Sequence, residues 1–243
     1  AKASNLAAKK ASGKYIFFIS NDMLFDKNIL KNLFNYMQEN QEVGVSTVKM
    51  LRHINGKKSN IIDSMGAKID LLCCANSNYI HENVKRVRDI NKNIFFAFGG
   101  AIFIRKNIFK KIRGYDERFF TLTDDIDLCW RVQLLGYSIK YINKSVIYHK
   151  VSGTLAKSHN RHIKRFFSER NNLCSIIKNY SLISLLLIIP LYIFFLIIET
   201  IFFILLLNFK MSFVPFKSLF WNIKNINNTL AKRKNIQRLR RIS

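Results

Sequence analysis

Three carboxylates stand within four positions in the stretch Phe119 to Ser138, FFTLTDDIDLCWRVQLLGYS: Asp124, Asp125 and Asp127. The chain carries 40 Lys and Arg against 15 Asp and Glu, a formal net charge of +25, so acids gathered among aromatic and aliphatic neighbours need a reason. Carboxyl groups crowded in an apolar setting resist ionising, and one whose pKa rises toward neutrality can act as a general base. The plainer reading is structural. Acids in the first turn of a helix starting near Asp124 face the positive end of its dipole. That reading covers Asp124 and Asp125 and leaves the bracketing Phe119, Phe120 and Trp130 unexplained. Two further residues extend the constellation. Asp22 follows the apolar run KYIFFIS, and His149 ends SVIYH, so both are expected at the carboxyl ends of strands, where open α/β sheets bind ligands. A single site holding both with the Asp124 cluster is expected.

The elements that must position these residues follow from hydrophobic spacing. KYIFFIS, after Gly13, predicts a strand buried on both faces of a parallel or mixed sheet. Ile29, Leu30, Leu33, Phe34 and Met37 predict an amphipathic helix, and VGVSTVKML a second strand. Residues 53–93 are polar and irregular. IFFAF and AIFIR predict strands flanking Gly99–Gly100, and a short helix follows near Ile108 to Ile112. Leu128, Cys129, Val132 and Leu135 share one helix face that Gly136 ends. SIKYI and SVIYH predict two more strands, and the alternation argues an α/β domain. The four cysteines form no CxxC pair, which argues against a thiolate zinc site and for a reduced, cytosol-facing domain.

The character changes after Ser152. Leu182 to Leu207 is apolar apart from Ser184, Pro190, Tyr192, Glu199 and Thr200. As one helix it would reach about 39 Å, against about 30 Å of bilayer hydrocarbon. Both flanks are basic, which pulls both ends to the cytoplasm; a bent hairpin satisfies the charges and a tilted single span satisfies the length. In the tail, Leu219, Phe220, Ile223 and Ile226 form a stripe with lysines opposite, as in a helix lying on an anionic lipid surface; a solvated basic tail is the alternative. A nucleic-acid binder would interleave aromatic and basic residues on a sheet face. Here the basic surplus is densest around the apolar segment, which favours anionic membrane lipids and no nucleic acid.

The segments SGKYIFFISNDMLFDKNIL, IDSMGAKIDL and FFAFGGAIFIRKNIFKKIRGYDERFFTLTDDIDLCWRVQLLGYSIKYINKSVIYH carry a resemblance. In order and spacing, over roughly residues 1–155, they look like the later two-thirds of family 2 glycosyltransferases of the GT-A fold, most of all the rhamnosyltransferase-like, membrane-attached members. The resemblance implies an α/β, GT-A-like mixed sheet flanked by helices, followed by a membrane helix or hairpin and a basic amphipathic helix. It implies inverting, metal-dependent transfer of a sugar from a nucleotide-sugar donor to a glycan or lipid-linked acceptor at the cytoplasmic membrane face.

Roles follow residue by residue. SND stands where the family has its metal-binding acidic motif, so Asp22 is implied to hold Mg²⁺ or Mn²⁺ on the donor diphosphate, with Ser20 where an acid would be. DDIDL matches the acidic ED signature. Asp125 is then the general base for the acceptor hydroxyl and Asp124 replaces the usual Glu. Gly99 and Gly100 let backbone approach the acceptor, and Asp127 is grouped with them while orienting the helix or a basic partner such as Arg131. His149 completes the metal or diphosphate site. One departure counts against activity: members begin with a strand–helix–strand unit that grips the nucleobase, and this chain opens in the helix after it, leaving a sheet edge uncovered. A non-catalytic relic or membrane-bound subunit therefore stands as the second reading. The expected divisions are a partial catalytic domain over 1–155, a basic connector over 156–180, a membrane segment over 181–209 and a basic tail over 210–243.

Overall fold

A computed structural model describes residues 1–150 and 161–242; the expected division near residue 155 lies outside the described residues. The chain opens with α1 (Lys2–Lys10), β1 (Tyr15–Ile19), β2 (Met23–Phe25) and α2 (Ile29–Glu39). Then come β3 (Val43–Ile54), β4 (Lys57–Ser64), β5 (Ala67–Ile69), β6 (Ala75–Ser77) and β7 (Lys92–Asn93). The domain continues with β8 (Ala101–Arg105), α3 (Lys106–Lys111), α4 (Asp124–Leu134) and β9 (Ser138–Lys150). Five helices follow: α5 (Arg161–Asn179), α6 (Leu182–Leu205), α7 (Phe209–Ser212), α8 (Val214–Lys224) and α9 (Ile226–Leu239).

The main sheet has the order β1-β8-β3-β9-β2, with β4 beside β3 and β7 beside β9. β8 runs antiparallel to both β1 and β3, whereas β3 and β9 are parallel. β1, β3 and β9 therefore share one carboxyl edge. This is the mixed α/β sheet expected from the sequence. α2 covers one face through Ile29, Leu33 and Met37, packed with Val43, Val48 and Phe103. The other face meets α4 through Ile126, Leu128, Cys129 and Val132. Gly44 makes that contact possible: a Cβ there would lie 2.6 Å from Val132 Cγ1 and 2.8 Å from Tyr137 Cβ.

Several expectations need correction. β1 is the edge of the sheet and only partly buried, because β8 is its one partner among the described strands. IFFAF forms no strand. Its backbone turns aside to bond Ala67 and Ile139 while Ile94, Phe96 and Ala97 stay buried, so an apolar run here reports core packing without ladder geometry. SIKYI and SVIYH are one strand, β9, whose register against β3 jumps between Ile142 and Val146. A bulge of polar residues broke the apolar run without ending the strand. The apolar segment is one helix, α6, which continues through Pro190 and contains no hairpin.

α5 carries the least expected feature. Arg170, Asn171, Asn172, Lys178 and Asn179 are all buried, although their composition reads as a solvated connector. Lys178 Nζ lies 2.9 Å from Asp116 Oδ2 and 2.8 Å from Asp127 Oδ1. Asp127 also holds Arg131, at 2.8 Å from Nη2, and accepts from Asn179 Nδ2 at 3.1 Å. Burial opposes charge on Asp127, but Arg131 and Lys178 outweigh it and hold its carboxyl below the ordinary range. This network fastens α5 to α4 and to the turn that carries Asp116.

Breaking one member of such a network strands charge in the interior. Lys178→Met keeps the volume and removes the cation, and the expected loss is about 3 kcal/mol, the lower end of the range for a broken buried pair, because Arg118 and Arg131 remain. Urea unfolding followed by tryptophan fluorescence, to which Trp130, edge-on to Tyr180, and Trp221 contribute, measures it. A loss under about 1 kcal/mol would mean that the network adds little to stability.

Candidate active site

The carboxyl edge of the sheet gathers most of the singled-out residues. β1 ends at Ile19, opposite Ala101, and the next amide, of Ser20, donates to the carbonyl of Gly100 at 3.1 Å. The Gly99–Gly100 turn therefore sits where β1 ends. Asp22 lies two residues beyond Ser20, in the turn before β2, and its carbonyl accepts from the Lys150 amide at 2.9 Å. β2 pairs with the last residues of β9, Met23 opposite His149. One short hairpin-like contact thus brings positions 22 and 149 together across more than a hundred residues.

The side chains form a row. His149 Nε2 lies 3.2 Å from Asp22 Oδ2, and Nδ1 lies 2.8 Å from Asp63 Oδ2. Arg52 Nε donates to the other Asp63 oxygen at 3.3 Å. The bond to Asp63, with help from Asp22, raises the His149 pKa against its partial burial. Burial pushes the Asp63 carboxyl up, but His149 and Arg52 prevail and hold it below the usual range. Asp63 was not anticipated: nothing in IDSMGAKIDL distinguishes it, and only the pairing of β4 beside β3 brings it to β9.

Asp125 approaches the same turn from the other side. Its Oδ2 accepts from the Gly99 amide at 2.9 Å and its Oδ1 from the Ile126 amide at 2.8 Å. Burial, followed by the neighbouring Asp124 charge, raises the Asp125 carboxyl to about 7 despite those two donors. Asp124 is half-buried beside it, and burial raises its carboxyl too. The structure therefore brings Asp22, His149, Gly99, Gly100 and Asp125 to one edge. Asp127 is the exception. It is fully buried on the far side of α4, within the network around Lys178, so contact with a substrate is replaced by anchoring of the helix. The two glycines also differ from expectation in detail. Gly99 offers its amide to Asp125, and a Cβ on Gly100 would lie 2.7 Å from Met23 Cε, so packing within the protein already requires the second glycine.

What aims Asp125 is the backbone before it. Leu122 and Thr123 both have left-handed φ, 64° and 65°. Each costs a non-glycine residue about 1–2 kcal/mol. Hydrogen bonds from α5 hold the segment in place. Asn171 Nδ2 donates to the carbonyls of Thr121 and Leu122, both at 2.8 Å. Thr123 Oγ1 bonds Asn172 Oδ1 at 2.8 Å, and Arg170 donates to the Arg118 carbonyl at 3.0 Å. These α5 residues went unanticipated, since a polar helical run gives no sign that its amides are turned inward.

As for a divalent cation, a carboxylate oxygen of Asp22 is a donor suited to Mg²⁺ or Mn²⁺. The His149 ring, oriented from behind by Asp63, would offer Nε2 to Mn²⁺ once that nitrogen leaves Asp22 and gives up its proton. Among the described residues no group of three or more His, Cys, Asp or Glu side chains forms a ready cage. An ion held there would take its remaining ligands from phosphate oxygens and water.

The raised Asp125 carboxyl has a consequence for stability. Its folded pKa of about 7 lies above the unfolded value of 3.8, so the folded chain binds that proton more tightly and loses stability as pH rises from about 4 to 7. Asp125→Asn removes the cost. At pH 8 it should stabilise the fold by about 1–2 kcal/mol after allowance for solvent screening. The gain shrinks toward pH 4, and thermal unfolding at pH 8 and pH 5 checks both. A variant no more stable than the parent at pH 8 would refute the shift.

Comparison with known proteins supplies the remaining evidence. Residues 15–222 match the model of glycosyl transferase family group 2. The rhamnosyltransferase WbbL of Escherichia coli (strain K12) is 24% identical over 146 residues, which cover 55% of this chain and 51% of that protein. The chain thus spans about half the length of that curated relative. Among solved structures, GalNAc-T7 with UDP, GalNAc and Mn²⁺ superposes with a TM-score of 0.55 at 14% identity, covering 73% of this chain and 34% of that one. The mannosyltransferase PcManGT from Pyrobaculum calidifontis, in complex with GDP-Man and Mn²⁺, gives a TM-score of 0.44 at 11% identity, covering 97% and 64%. The GalNAc-T7 likeness bears on the fold, and the family match runs from β1 to within α8. The chain belongs to glycosyl transferase family group 2.

Proposed function

We propose that these residues serve inverting transfer of a sugar from a nucleotide-sugar donor to a glycan or lipid-linked acceptor, at the cytoplasmic face of a membrane. The observation that carries the reading is the half-buried Asp125 carboxyl, raised to about 7, on the same sheet edge as Asp22 and His149. At neutral pH a useful fraction of Asp125 is ionised and basic enough to take the proton of an attacking hydroxyl. The Gly99 amide holds one of its oxygens and leaves the carboxyl oriented. Asp22 and His149 would hold Mg²⁺ or Mn²⁺. When bound, the ion neutralises charge on the departing diphosphate. Asp124 raises the basicity of Asp125.

Two measurements test this. In the full-length protein, transfer of labelled sugar to extracted membranes should fall about 10²- to 10⁴-fold in Asp125→Asn, and in the parent protein it should rise with pH as Asp125 ionises through about 7. Transfer that Asp125→Asn leaves unchanged would favour the non-catalytic subunit. Separately, Mn²⁺ binding in the presence of a nucleoside diphosphate, followed by the electron paramagnetic resonance of free Mn²⁺, should weaken about 10- to 100-fold in Asp63→Asn, which frees the His149 ring. Equal affinity in the two proteins would remove His149 from the metal site.

A further inference from the structure

α6 is 24 residues long with a mean hydropathy of 2.7 and is long and apolar enough to cross a bilayer. Its packing says how it is held. Ile188, Tyr192, Leu196 and Thr200 are its buried residues, spaced four apart on one stripe of about 18 Å. The Tyr192 hydroxyl donates to the Glu169 carbonyl at 3.1 Å. Near the far end, Glu199 pairs with Arg165 at 2.6 Å, and the same guanidinium covers the Phe203 ring at 4.5 Å. α6 therefore folds back antiparallel along α5. α5 is itself fixed to the sheet domain through Lys178 and Asn171.

That arrangement constrains the helix in a membrane. An upright α6 would carry α5 and its exposed Arg161 into the hydrocarbon, together with the α4 side of the domain. Each charge moved to the bilayer centre costs at least about 2.5–3.5 kcal/mol. A flat α6 avoids the cost. Away from α5 it exposes Leu182, Leu186, Phe195, Ile198, Phe202 and Leu205. Phe213, just before α8, and Phe216, Phe220 and Ile223 within it add to this face, with exposed Lys210, Lys217 and Lys224 beside them. Both helices hang on Glu169, since Ser218 Oγ donates to its Oε2 at 3.3 Å while Tyr192 takes its carbonyl. Basic residues at both ends of α6 match anionic headgroups on a single side, at about 1 kcal/mol for each Lys or Arg near the surface.

We infer that α6 lies lengthwise in one leaflet of an anionic bilayer, with α8 beside it, and does not cross to the other side. The inference rests on the membrane attachment proposed above and is independent of catalysis. In the full chain with exposed Cys74 replaced by Ser, Ser181→Cys, at the polar cap just before α6, and Lys210→Cys are introduced one at a time and probed in cells with a membrane-impermeant maleimide. Both sites should label in inside-out vesicles, and neither in intact cells. Labelling of either site in intact cells overturns the in-plane arrangement. Recovery of the chain as a soluble dimer, with a second copy covering α6, would overturn it as well. Sugar transfer plays no part in the readout, so failure of the enzymatic reading would leave this result unaffected.

Discussion

The whole arrangement depends on a polar contact in the interior: the inward face of α5 gripping the backbone that leads into α4. Leu122 and Thr123 adopt a conformation that non-glycine residues avoid, and three consecutive side chains, Arg170, Asn171 and Asn172, supply the hydrogen bonds that hold it. A few residues further along α5, Lys178 and Asn179 bind Asp127 from below. α4 is thus fixed at its start and on its inner side, and Asp125, between the two fixings, is turned up to the Gly99 amide. Strain kept by surrounding contacts next to the Asp125 carboxyl is consistent with the pre-organisation that the proposed base would need.

The three acids of DDIDL illustrate how position on one helix turn divides labour. Asp127 faces in, meets Arg131 and Lys178, and is held ionised. Asp125 faces the sheet edge, meets only amide donors and a like charge, and has its proton held up to about 7. Asp124 supplies that like charge. A cluster that looks uniform in composition therefore contains a buried, ionised anchor and a carboxyl whose proton is held up toward neutrality. Helix periodicity separates them, because residues two apart on a helix point about 200° from one another.

Much of this is legible in the amino-acid sequence. Local patterns found α2, α4 and β8, and Gly136 marks the end of α4 with its φ of 88°. Asp22 and His149 were placed at strand ends, and β2 pairs them as that placement required. What escaped depends on contacts between distant segments. Asp63 joins the row only because β4 lies beside β3, and Asn171 acts on Leu122 from 49 positions away. Hydrophobic periodicity is blind to both, since it reports burial of apolar side chains and treats amides and ammonium groups as surface. The same blindness explains why α5 read as a connector, and why the bulged β9 read as two strands.

The helices after α4 are therefore part of what shapes the sheet edge, and α5, which aims Asp125, also carries the apolar helix α6. Amide hydrogen exchange in Asn171→Ala tests this central claim most directly. Loss of the two hydrogen bonds to Thr121 and Leu122 should speed exchange across residues 121–127 about 10-fold or more, while β3 and β8 exchange as in the parent protein. Unchanged protection across 121–127, or a uniform rise throughout the domain, would contradict the account.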